Sequence, residues 1–280
     1  MIGLQPHTRT TTFETKCWEG DWRNMLLTDH IPNNISRCSH SFDCKVLFIN
    51  NVNDPAEVIK AANALVLKNV LTSFHLVSDY ADAALKFFNL SKSDLGIGYV
   101  YSIAELVGIY LCQTEYLVHF SGDSMLLSRA SADWVASSIN LMETYPHVKT
   151  AALSWSFEGA KAESFNEDDN FFMGSGFSDQ NYLIKIQDFK ADIYRSRHFM
   201  SQRYPEYGGE LFEKRVDSWL RTNHYLRAMW KHDAYAHACY DDIRVDSPKR
   251  SSFFAKVRSR IVKPFHSFWN RIVRVTLFSP

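Results

Sequence analysis

The chain has 280 residues, 46% of them apolar, with 31 basic side chains set against 31 acidic ones. That length and apolar content supply one full domain core plus an appendage, and the balanced charge argues against nucleic acid as the main partner, because phosphate binding leaves a basic signature. The five cysteines (Cys17, Cys38, Cys44, Cys112, Cys239) are odd in number and lack Cys-x-x-Cys spacing, which excludes a disulfide frame and a zinc site and reads as a reducing compartment.

The amino terminus, MIGLQPHTRTTTF, lacks the basic start and apolar core of a secretory signal. No uninterrupted apolar stretch is expected to cross a membrane. The segment Thr10 to Ser41, with Trp18, Trp22 and several histidines, has no assignable role and reads as cover over a sheet. Chemistry-bearing order begins after it. Lys45 to Ile49 is a short apolar run that predicts a buried strand ending in Asn50 and Asn51. Pro55 to Lys68 places Ala and Leu at helical spacing behind a proline suited to the first helical position. Ser73 to Val77 predicts a second buried strand ending in Ser78 and Asp79, and Ile103 to Cys112 a helix leading into a third, Tyr116 to Phe120. That third strand runs into Ser121, Gly122 and Asp123. Two readings stand for it: an ordinary solvated turn, or a carboxylate presented at a sheet edge to hold a metal or a charged ligand. Strands alternating with helices predict a mostly parallel sheet with ligands at the carboxyl ends of the strands, so the three polar ends fall on one rim.

Downstream, Ala151 to Leu153 predicts a further strand with Trp155 beyond its end. Gly174, Ser175 and Gly176 form a flexible stretch before Asp179 and Gln180, which either close over a bound substrate or start a helix capped by Ser178. The composition shifts near Ser247 and Pro248. Beyond Asp246 there is no acidic residue, while Lys249, Arg250, Lys256, Arg258, Arg260, Lys263, Arg271 and Arg274 alternate with Phe253, Phe254, Val257, Ile261, Phe265, Phe268, Trp269, Ile272 and Val273. A basic, aromatic amphipathic helix of this kind, broken or kinked at Pro264, reads as a membrane-surface anchor, the other reading being a helix packed on the domain or on a second subunit.

This order resembles the GT-A nucleotide-sugar glycosyltransferases, most nearly the inverting family 2 group, over about residues 11 to 240. The stretches GIGYVYSIAELVGIYL (Gly96 to Leu111), SADWVASSINLMETYPHVKTAALSW (Ser131 to Trp155), FSDQNYLIKIQDF (Phe177 to Phe189) and YGGELFEKRVDSWLR (Tyr207 to Arg221) are similar to the parts that flank the Asp-x-Asp turn, shape the two substrate pockets and carry the base. The resemblance implies an α/β, GT-A-like (Rossmann-like) domain over 1–246 and a basic amphipathic tail over 247–280. It implies a nucleotide-sugar site at Asn50 and Asn51 on the first strand, Asp79 on the second, Tyr101, Ser102, Ser121, Gly122, Asp123, Trp155 and Gln180. Asp123 would hold a divalent cation, Mn2+ or Mg2+. His237, in AYAHACY, is either its second ligand or a structural residue. Glu213 stands at the family position of the base, with Glu210 on the turn beside it and Asp179 nearby; either glutamate is otherwise a helix-start residue. Trp155 stacks on an acceptor sugar or belongs to the core. Two departures stand out: Ser121 replaces the first acid of Asp-x-Asp, and Lys214 replaces one acid of the pair at Glu213.

The activity implied is transfer of a sugar from a nucleotide donor to a hydroxyl of a glycan or lipid-linked acceptor, with inversion, in cell-surface glycan assembly at the cytoplasmic face of the membrane. Other readings are a shell that only binds a nucleotide-sugar or glycan, and a membrane-surface adaptor whose working part is the tail.

Overall fold

The computed structural model describes residues 9–204 and 209–237, His237 through its backbone. Inside its sheet lies a strand that the sequence conceals. β1 (Thr11–Cys17) reads TTFETKC, yet six of its seven residues are buried. The expectation that Thr10 to Ser41 merely covers the sheet is therefore corrected. Three threonines supply β-branched side chains, and their hydroxyls find partners: Thr12 Oγ1 lies 2.7 Å from Thr114 Oγ1, and Thr11 Oγ1 lies 3.0 Å from His40 Nε2. A strand covered on both faces can carry polar residues only where such partners wait.

The remaining strands are β2 (Cys44–Ile49), β3 (Ser73–Leu76), β4 (Tyr116–Phe120), β5 (Ser124–Leu126), β6 (Val148–Ser154), β7 (Ser164–Glu167), β8 (Phe171–Gly174), β9 (Asn181–Lys185) and β10 (Leu226–His237). They form one mixed sheet in the order β3-β2-β1-β4-β9-β6-β10-β8-β7, with β5 paired to β10. β3, β2, β1, β4, β6 and the first part of β10 run the same way, and β9 opposes its neighbours β4 and β6. The strand ending in Asn50 is thus second in chain order and the one before Asp79 third, one place later than the sequence suggested.

Helices cover both faces: α1 (Trp22–Leu27), α2 (His30–Arg37), α3 (Pro55–Leu67), α4 (Val77–Phe87), α5 (Lys92–Leu95), α6 (Tyr99–Leu111), α7 (Trp134–Thr144), α8 (Phe157–Glu163), α9 (Ile186–Phe189) and α10 (Phe212–Thr222). Their ends follow local chemistry. Asp54 accepts from the amides of Ala56 (3.0 Å) and Glu57 (3.2 Å) ahead of Pro55, and Asp133 accepts from Ala136 at 2.9 Å. Asn69 and Asn89, at φ 57° and 54°, close α3 and α4 in the left-handed conformation that asparagine tolerates. On one face Leu117, Tyr182 and Ile184 pack with α4, α6, α9 and α10; on the other Phe13, Val118, Phe120 and Leu183 pack with Trp134, Val135 and Ile139 of α7. Cys17, Leu47 and Ile49 meet α1 and α3 in a third cluster. The architecture is α/β, a mixed sheet of mostly parallel strands between helical layers.

The run Lys92–Leu111 has the length and composition of a membrane-spanning helix, contrary to expectation. It is interrupted at Gly96–Gly98, and Ser102 to Ile109 are all buried against the sheet, so it serves as a core helix of this domain. The basic tail, Ser247 to Pro280, lies outside the described residues.

Candidate active site

Parallel strands bring their carboxyl ends to one edge. Cys17, Ile49, Phe120 and Ser154 end β1, β2, β4 and β6 there, and β9 begins there, with Asn181 opposite Phe120. The turn after β4 is held tightly. Ser121 Oγ lies 2.7 Å from Asp123 Oδ1 and 2.6 Å from Gln180 Oε1, and Ser124 Oγ donates to the same Gln180 oxygen at 3.2 Å. The Ser121 amide also donates to the Gln180 carbonyl at 2.9 Å. A hydroxyl in place of the first acid thus stands between Asp123 and Gln180, the residue before β9.

A second carboxylate reaches this turn, one the sequence reading did not mark. Asp21 is 6% exposed and accepts the Trp18 amide at 2.8 Å. It stands at the start of α1 but turns away from capping it and lies against Gly122, where any Cβ would collide with the Asp21 carboxylate and come within 2.8 Å of the Lys16 carbonyl. Glycine is required there by close approach. Burial, helped by the charge of Asp123, raises the Asp21 pKa to about 7. His30, at the start of α2, is also buried beside Asp123; burial lowers its pKa while Asp123 opposes that shift. The hint in the sequence was the tight Trp18-Glu19-Gly20-Asp21 turn, legible only once β1 is known to be a strand.

Beneath the rim, alternate residues of β1 face α6. Lys16 Nζ forms an ion pair with the fully buried Glu105. Glu14 lies against Gly108 and 3.2 Å from His119 Nδ1, and the His119 ring stacks on Tyr182 with centroids 4.6 Å apart. Burial raises Glu14 to about 8, holds His119 well below its ordinary value and lowers that of Lys16, whereas the charges of Asp179, Glu14, Asp123 and Asp21 favour the Lys16 ammonium. Lys16 thus pairs with Glu105 beneath the rim while the acids of the rim act on it from above.

Across the rim, Glu213 sits in the first turn of α10. Burial and the charge of Asp179 push its pKa well up, while Arg203 and a hydrogen bond from the Asp179 amide pull it back. A half-buried carboxyl of raised proton affinity is suited to taking a proton from a hydroxyl. Glu210 is not: Lys214 Nζ holds it at 2.8 Å and Arg215 Nε at 3.2 Å, and these cations lower its pKa against the effect of burial. Asp179 and Gln180 start no helix; they lead into β9, with the Gln180 amide donating to Ser178 Oγ at 3.3 Å.

The other expected residues separate. The amides of Asn50 and Asn51 donate to the Val100 carbonyl at 3.3 and 3.2 Å, tying the end of β2 to the start of α6. Asp79 is exposed in the first turn of α4, and Tyr101 is exposed on α6. Ser102 is corrected: it is fully buried, and its hydroxyl accepts the Phe212 amide at 2.8 Å, so it faces the core and not the rim. Trp155 is 68% exposed beyond the end of β6 and is not a core residue. The His237 backbone pairs with Ser124, next to Asp123. No group of three or more His, Cys, Asp or Glu suited to a metal occurs among the described residues. Asp21 and Asp123 together still offer hard oxygen donors whose mutual repulsion a divalent ion would relieve, which fits Mn2+ or Mg2+ completed by ligand oxygens.

No family model and no curated sequence matches this chain. Among solved structures it is similar in backbone path to GalNAc-T7 crystallised with UDP, GalNAc and Mn2+ (TM-score 0.49, 9% identity, 83% of this chain and 44% of that one). It is similar to mouse xyloside xylosyltransferase 1 in its apo form (TM-score 0.43, 13% identity, 77% and 82%) and to UDP-glucose pyrophosphorylase complexed with UDP-glucose (TM-score 0.47, 11% identity, 83% and 94%). The chain thus spans less than half the length of the GalNAc-T7 chain.

Proposed function

We propose that this chain is a glycosyltransferase that moves a sugar from a nucleotide donor to a hydroxyl acceptor. The observation that carries the reading is the gathering of Asp21, Asp123, Gln180, Asp179 and Glu213 at the carboxyl rim of the sheet: Asp21 against Gly122, Ser121 Oγ within 2.7 Å of both Asp123 and Gln180, and Asp179 acting on Glu213. In such a transfer the bond from the sugar carbon to the diphosphate breaks, its electron pair leaves with the phosphate, and the acceptor oxygen bonds to the same carbon as its proton passes to Glu213. Asp21 and Asp123 would hold a divalent ion, which supplies charge neutralisation to the leaving diphosphate when bound. Lys16 stands in the field of Asp179, Asp123 and Asp21. Exposed Trp155 offers a face to an acceptor sugar. A single displacement of this kind inverts the sugar carbon, in line with the family 2 resemblance; a glycan or lipid-linked acceptor at the cytoplasmic membrane face, reached through the basic tail, completes the proposal.

Thermal shifts with a panel of nucleotide-sugars, with and without Mn2+ or Mg2+, test it. One donor should stabilise the protein in proportion to the logarithm of its concentration, and Asp123→Ala should remove the metal-dependent part. A panel in which no nucleotide-sugar shifts the transition sinks the reading. Ser121 and Lys214, standing where the resemblance calls for acids, favour a second reading in which the shell binds the donor without transfer. Donor binding by the wild type without product in a turnover assay over many hours would select it.

A further inference from the structure

We propose that Arg203 is a positioning residue for the Glu213 carboxyl: it belongs to a bracket, the 3-10 turn Phe199–Arg203 with Tyr204, that fixes α10 against the segment 175–180 and keeps Glu213 in its charged, proton-accepting form. The role of Glu213 as a base rests on the transfer reading above. One side of the bracket grips α10. Ser201 Oγ donates to Asp217 Oδ2 at 2.7 Å, both residues being fully buried, Lys214 Nζ donates to Gln202 Oε1 at 3.1 Å, and Arg203 Nη2 stands 3.6 Å from Asp217 Oδ1. The other side grips the segment that leads into β9. Tyr204 donates to the Phe177 carbonyl at 2.8 Å, and Arg203 Nη2 donates to that Tyr204 hydroxyl at 3.2 Å. A Cβ on Gly176 would stand only 2.9 Å from Arg203 Nη2, so a glycine lets the guanidinium lie close against this segment.

The bracket joins the two elements whose acids act on Glu213. Asp179, in the braced segment, gives its amide to Glu213, while its carboxylate opposes a charge there. Asp217, itself held by Arg221 at 2.9 Å, stands one helical turn beyond Glu213 on the same face of α10, and like charges at that spacing repel. Tyr204 and, from β10, Tyr235 also stand in the field of Glu213. Burial and two acids therefore favour a protonated Glu213, and Arg203 is a cation set against them. A protonated carboxyl cannot take a proton from an acceptor hydroxyl, so that charge has a mechanistic use. Because 38% of the Arg203 side chain is exposed, water screens it and its effect is of moderate size.

Carbon-13 NMR of the full chain labelled at its glutamate carboxyls tests this, the Glu213 signal being identified by its loss in Glu213→Gln. Arg203→Gln should raise the titration midpoint of Glu213 by about one unit, and Arg203→Lys, which keeps the charge, by clearly less. Tyr204→Phe, a milder change that cuts the link to Phe177, should move the midpoint in the same direction. The pH profile of kcat/KM, measured with the donor selected by the thermal-shift panel, should follow: its acid limb moves to higher pH in Arg203→Gln. A midpoint unchanged in Arg203→Gln, or in Tyr204→Phe where Arg203→Gln does not fold, overturns the proposal. So does an equal shift in Arg203→Lys, which would make the effect one of shape and not of charge. If no donor turns over while the Glu213 midpoint still depends on Arg203, the transfer reading fails and the bracket stands.

Discussion

At the residue scale, Ser121 stands where the resemblance would have an acid, and a carboxylate arrives instead from Asp21 at the end of another strand, pressed against Gly122. If Asp21 does the work of the missing acid, Asp21→Asn should weaken Mn2+ binding, and adding Ser121→Asp to that variant should restore it. Calorimetric titration of Mn2+ reads both steps, and a double variant no better than the single one would show that Asp21 is only structural. Glu213→Gln should leave donor affinity intact and lower turnover by a factor of about 100 or more, the range that general-base removal commonly gives. The same change at Glu210, already neutralised by Lys214 and Arg215, should leave turnover within about threefold of the wild type, with any effect on stability alone. Measuring turnover for the two glutamate variants side by side separates them.

At the scale of elements, α6 does two jobs. Its buried face packs the sheet, and its polar residues tie it to the site's supports: Glu105 to Lys16 on β1, Ser102 to the first amide of α10, and the Val100 carbonyl to the asparagines that end β2. Ser102→Ala should therefore cost about 1–3 kcal/mol of stability through the orphaned Phe212 amide while nucleotide-sugar affinity stays unchanged. Denaturant melts with donor titrations decide it, and a selective loss of donor affinity would return Ser102 to the site. The strands β2 and β4 were legible because each carries a run of apolar, β-branched or aromatic residues ahead of a polar end; β3 was found, but it is half-buried along its length, and Val77 to Asp79, read as its end, open α4. β1 was not. Its Thr, Glu and Lys look solvated, and only the hydroxyl and carboxylate partners on other elements make their burial tolerable.

At the scale of the whole molecule, the buried polar layer under the rim predicts how stability depends on pH. Glu14 keeps its proton up to about pH 8 when folded, whereas unfolded it ionises near the ordinary glutamate value; Asp21 behaves likewise up to about 7. Between those limits the folded state binds more protons than the unfolded one, so stability falls as pH rises. His119 and His30, held neutral by burial, act oppositely only below their ordinary range of about 6.5. The melting temperature should accordingly drop from about pH 6.5 to about pH 8, and Glu14→Gln should flatten that drop. An unchanged slope in the variant would mean that Glu14 is ionised in the fold. Removal of residues after Pro248 should abolish co-sedimentation with anionic vesicles and leave donor binding in solution intact. The sequence by itself determined the alternation of strands and helices and the rim at which Asn50 and Asp123 follow β2 and β4, because these follow from local periodicity and end chemistry; the helix start that carries Glu213 came from the family resemblance. Tertiary structure alone decided that β1 is an interior strand, that Asp21 joins Asp123 and that Ser102 faces the core. Each of these depends on partners far apart in the chain, whose pairing energies no local pattern records.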